Sequence, residues 1–109
     1  MNITHASTDD KKTIYRLTHS MRAGKVVDLD GQTIQPTAWA IYEDTDKQTG
    51  EVKIVLSFEL DTGEIVGTIS ETFIREFEDI VETFGPLQPL EIRTALTKNG
   101  RTFVFPMPA

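Results

Sequence analysis

Asp61-Thr62-Gly63, following Leu60, is the group of residues with the most obvious chemical use. Two such aspartates, one from each of two copies, share a proton and drive peptide hydrolysis. That chemistry goes with a small residue after the triplet and an apolar-apolar-Gly segment before a C-terminal helix. Here Glu64 follows the triplet and the C-terminal residues read as a hairpin. Asp-x-Gly is a common turn between strands, and the triplet is read as one. Asp28 with Asp30, and Asp44 with Asp46, pair carboxylates as a cation site would. Calcium wants about six to eight oxygens, and neither pair belongs to a loop closing on glutamate. His19 beside Ser20 lacks an evident acid partner. Cysteine is absent, and His5 and His19 are the only histidines, which excludes thiolate and histidine-rich centres. No nucleophile elbow, phosphate-binding loop or dinucleotide fingerprint is present. The expectation is a protein that is not an enzyme, with no catalytic residue, metal or cofactor.

Binding chemistry is better represented. Aromatic rings stack on nucleobases whatever the sequence, at ~1–3 kcal/mol per base, and cations neutralise phosphates. Tyr15 lies in a basic N-terminal segment, Trp39 and Tyr42 in a β-branched run, and Phe103 and Phe105 near the C-terminus. The net charge of −6 is unevenly spread. Residues 1–27 carry Lys11, Lys12, Arg16, Arg22 and Lys25 against Asp9 and Asp10, a balance of +3. Residues 28–90 carry fourteen acids against Lys47, Lys53 and Arg75, a balance of −11. Residues 91–109 return to +2, with Arg93, Lys98 and Arg101 against Glu91. Salt screens charges beyond roughly 8–10 Å, so local rather than total charge decides what is attracted.

The elements that must position these residues are marked by turns. Asp30-Gly31, Gly50, Asp61-Thr62-Gly63, Gly85-Pro86 and Asn99-Gly100 punctuate segments of strand length. Thr33 to Glu43 reads as a strand, with Pro36 at a bulge or a strand start. Glu51 to Leu60 alternates, placing Val52, Ile54, Leu56, Phe58 and Leu60 on one face and Lys53, Ser57 and Glu59 on the other, which reads as a half-buried strand with its second face in solvent. Glu64 to Ile69 completes a hairpin. Ile14 to Thr18 is a weaker strand, continuing through Lys25 to Leu29, and residues 1–11 read as flexible. From Glu71 to Phe84 the period changes to that of an amphipathic helix, capped by Ser70 and ended by Gly85 and Pro86. Leu90 to Thr97 and Arg101 to Phe105 form a closing hairpin around Asn99-Gly100.

A meander of three strands, a helix, then two strands is the connectivity of the OB-fold, a five-stranded Greek-key barrel. The expected fold is therefore mainly β, one domain over residues 1–109, with one helix at about 71–84 between the third and fourth strands. An α+β fold, with that helix across an open antiparallel sheet, is the alternative.

Gln35 to Asp44 (QPTAWAIYED) and Thr72 to Ile80 (TFIREFEDI) resemble the small single-stranded-DNA-binding proteins of phages and mobile elements of Gram-positive bacteria. The similarity runs over about residues 12–105 and includes the final strand-turn-strand. It implies support of replication or recombination by coating single strands, in a cytoplasm, without chemistry. Bacterial cellular proteins of that kind carry an acidic tail for recruiting partners, whereas this sequence ends in Phe105-Pro106-Met107-Pro108-Ala109. A recruiting surface would then be the acidic helix face of Glu71, Glu76, Glu78, Asp79 and Glu82. The same face supports a second reading, an acidic module that mimics DNA and inhibits a nucleic-acid enzyme. A solvated face remains the plain alternative. The expected contacts are Tyr15, Trp39 and Phe103 as stacking platforms, with Arg16, Lys25, Lys53, Arg93, Lys98 and Arg101 on phosphates. The same rings could instead pack the core. Homo-oligomerisation is left open.

Overall fold

Residues 2–20 and 24–109 are described by the computed structural model, and they form eight strands and two α-helices. In chain order these are β1 (Asn2–Ala6), α1 (Lys11–His19), β2 (Gly24–Lys25), β3 (Thr33–Ile34), β4 (Pro36–Thr45), β5 (Val52–Leu60) and β6 (Ile65–Thr68). They are followed by α2 (Glu71–Phe84), β7 (Leu90–Leu96) and β8 (Thr102–Pro108), while a 3-10 turn covers Val26–Leu29. The fold is mainly β, as the turn spacing and alternation indicate.

The strands form two open sheets. One has the order β1-β4-β5-β6-β2 and the other the order β3-β7-β8. The run from Thr33 to Thr45 crosses between them: β3 pairs with β7, and after Gln35 the chain pairs with β5 as β4. Pro36 both opens β4 and borders a register shift before Ala38. The expected barrel would be closed by the third and fifth strands of its set, here β6 and β8. Among the described residues these two do not pair, and β2 runs parallel to β6 instead.

α2 has the bounds that its caps dictate. The Ser70 hydroxyl accepts from the Phe73 N–H at 3.3 Å, and the Gly85 N–H donates to the Val81 carbonyl. Gly85 has φ of +107°, which a residue with a Cβ rarely adopts. Phe73, Ile74, Phe77 and Ile80 point into the main core with Trp39, Ile41, Leu56, Phe58, Leu90 and Ile92. Phe58 lies parallel to both Phe73 and Phe77, with centroids 6.5 and 6.2 Å away. Rings at this separation add to what area burial contributes.

Three sequence expectations are corrected. Ile14 to Thr18 is not a strand: it belongs to α1, so the chain has a second α-helix. Asp10 caps that helix, accepting from the Thr13 N–H at 3.0 Å and the Thr13 hydroxyl at 2.6 Å. The continuation to Leu29 is a strand only at Gly24–Lys25 before the 3-10 turn, and its part at 21–23 lies outside the described residues. Residues 2–6, expected to be flexible, form β1 along the edge of β4. Finally, β5 is not half solvated along its length. Leu17 of α1 packs on Ala38, Ala40 and Tyr42, covering the β4 side of the sheet's second face, and Ser57 is buried there. The Tyr42 and Ser57 hydroxyls lie 3.5 Å apart.

No helix is long and apolar enough to cross a membrane, among the described residues.

Candidate nucleic-acid interface

The sheet face that carries α1 is only partly covered. Alternation assigns its residues: Ala38, Ala40, Tyr42 and Asp44 from β4, Lys53, Val55, Ser57 and Glu59 from β5, and Ile65 and Gly67 from β6. α1 lies over the β4 side. On the β6 side Gly67 has no side chain to fill the surface. A Cβ there would meet only the Leu56 carbonyl and the Ser57 hydroxyl, both at 3.5 Å. Lys25 of β2 is paired beside Gly67 and exposed.

A groove of about 480 Å³ results, lined by Lys25, Val27, Val55, Gly67, Ile69 and Val104 among others. It passes from Gly67 over the edge of β6 to Val104 of β8, the gap that a closed barrel would fill. Its walls are mostly aliphatic, with one cation. Ile69 is 58% exposed and also borders a smaller groove lined by Lys53 together with Ile54 and the carboxylates Glu51 and Glu71. Arg101 precedes Val104 by three residues, roughly 10 Å of strand, and shares the exposed β7–β8 turn with Lys98.

On α1, Tyr15 is 64% exposed. It stacks on His19 with centroids 4.1 Å apart and planes within 8°. Both rings, with Arg16 and Ile65, line a further shallow depression. One face of Tyr15 is thus taken by His19. Sequence reasoning misses His19 as a neighbour of the site. Its i, i+4 spacing from Tyr15 shows the pair only when the segment is read as a helix.

Trp39 is not a platform. Its side chain is 1% exposed, its Nε1–H donates to the Pro86 carbonyl at 2.6 Å, and it meets Phe77 edge-on at 5.3 Å. The indole closes the core above α2, because β4 turns residue 39 toward the helix and residue 42 toward α1. Tyr42 is buried as well, on the opposite face.

Two expected cations are tied to acids. The Arg16 guanidinium donates to Glu59 at 3.0 Å and Arg93 to Glu91 at 2.9 Å. In both, the hydrogen bond to the carboxylate, then its charge, holds the guanidinium pKa above its ordinary value. Phe103 is 37% exposed, but alternation turns it away from Val104, and its ring lies 5.6 Å from Phe105. The structure therefore brings Lys25 to the groove and Lys53 to the smaller one that shares Ile69, places Tyr15 in a separate depression beside Ile65 and Lys98 and Arg101 on the exposed β7–β8 turn, and leaves Trp39, Arg93 and Phe103 elsewhere. Arg16 sits beside Tyr15 with its charge already paired.

Compared with models of known families, with curated proteins and with solved structures, the chain matches none.

Proposed function

We propose that this chain binds single-stranded nucleic acid without sequence preference, DNA in the first instance, in the groove over Gly67. The observation that carries the reading is the bare strip of sheet at Gly67, flanked by Lys25 and continued by aliphatic walls. Nucleobases pack against such walls while cations track the backbone. The order of strands supports it: Thr33–Thr45, β5, β6, α2, β7 and β8 follow one another as in an OB-fold. In that fold the second and third strands and the turns after the first and fourth form the binding surface. Those elements are β5, β6 and the turns at residues 46–50 and 97–101. Support of replication or recombination by coating exposed strands is the role that the family resemblance implies.

The test is anisotropy of labelled oligo-dT with Lys25→Glu. This exposed residue has no packing role, so the variant should fold normally and bind at least about tenfold more weakly. Unchanged affinity would remove the groove from the account.

A second reading has one observation in its favour. Among the described residues, none of the five carboxylates of α2 takes part in an ion pair. With Arg75 as the one cation of α2, they form a predominantly anionic face on the side of the main sheet opposite α1, suited to a basic protein surface.

A further inference from the structure

The inward-facing aliphatic series of β5 runs further than the core does. Leu56 and Phe58 are fully buried, but Ile54 is 40% and Val52 54% exposed, since the hairpin of β4 and β5 projects past α2. Ile54 and the buried Ile74 form the floor of a groove of about 260 Å³ along α2. Its walls are Glu71, Glu78, Asp79 and Glu82, against the single cation Arg75. An apolar floor with anionic walls selects both properties in its occupant.

We propose that this groove docks a basic amphipathic segment of a partner protein, its apolar residues on Ile54 and its lysines or arginines on the α2 carboxylates. Charge fixes the choice of occupant. A phosphate backbone would be repelled here, whereas a cationic amphipathic segment meets opposite charge on the walls and an apolar side chain on the floor. A helix with apolar residues at i, i+3, i+4 and i+7 has the shape for such a groove. The proposal rests on the second reading above, that the acidic helix meets a protein, and is independent of the groove over Gly67.

The probe is a short synthetic helix with leucines at those positions and lysines elsewhere, titrated by anisotropy. Glu78→Lys with Glu82→Lys should weaken binding about tenfold or more, and so should Ile54→Ser. Asp61→Lys with Glu64→Lys, an equal charge change on the β5–β6 turn, should alter it by less than about twofold. Equal weakening by the two charge pairs would overturn the site, since net charge alone would explain it. Weakening by the α2 pair without any by Ile54→Ser would overturn the groove while sparing the acidic-face reading. Competition by oligo-dT, or concentration-dependent self-association abolished by the α2 pair, would assign the surface to nucleic acid or to a second copy instead. Thermal melts of each variant, with Ile54 already part-exposed, establish that the fold is retained.

Discussion

Trp39 and Tyr15 have residue types equally suited to stacking on bases, and the fold separates them. The Trp39 indole has the main core on one side and His5 edge-on at 4.9 Å. Its fluorescence should therefore report folding and change little when oligo-dT is added. Trp39→Ala should cost about 3–5 kcal/mol in urea unfolding, as expected for a large buried ring. Tyr15 keeps much of its surface open to solvent. Tyr15→Ala should weaken oligo-dT binding by about 1–3 kcal/mol, the range for one stacked base, with melting little changed. A sequence shows which side chains could stack but not which of them the core has taken, because that depends on which way each strand faces.

Helix α2 and the hairpin of β7 and β8 are legible in the sequence because their signals are local. Ser70, the apolar spacing from Phe73 and Gly85 each act within one or two turns of chain. Ser70→Ala should accordingly cost about 1 kcal/mol of stability by denaturant titration. α1 reads as a strand because its nine residues include threonines, an isoleucine and a tyrosine that suit one, and only Leu17 is buried. The signal that points to a helix is Asp10 ahead of Thr13. Hydrogen bonds from the Thr13 side chain and backbone hold the Asp10 carboxyl below its ordinary value of 3.8. The Gln48 and Thr49 N–H groups do the same for Asp46 at the β4–β5 turn. A depressed carboxylate contributes stability that is whole above the unfolded value and declines as pH falls through the folded one. Acidification below about 3.8 should loosen the α1 cap and this turn. Amide shifts of Thr13, Gln48 and Thr49 followed down the pH scale should move together with the two aspartates. Asp10→Asn should flatten the response at Thr13 alone.

At the scale of the whole molecule, charge placement and barrel closure are the least legible features. The sequence shows basic ends and an acidic middle, but the placement of α1 and α2 on opposite faces of one sheet arises from packing. The gap between β6 and β8 likewise arises from tertiary pairing, since β2 takes the edge of β6 that a closed barrel would use. The consequence is a mostly aliphatic groove from Gly67 across to Val104 of β8. Lys98→Ala with Arg101→Ala should lower affinity and reduce the salt slope, by about 0.7 for each phosphate that is no longer neutralised. Stability should hold, because both side chains stand at an exposed turn. The most direct test of the central claim is a competition titration at low salt, in which unlabelled oligo-dT or duplex DNA displaces labelled oligo-dT from the intact chain. Single-strand binding there should exceed duplex binding clearly and weaken as salt rises. Duplex competing as well as single strand, or no binding of oligo-dT at low salt, would contradict the account.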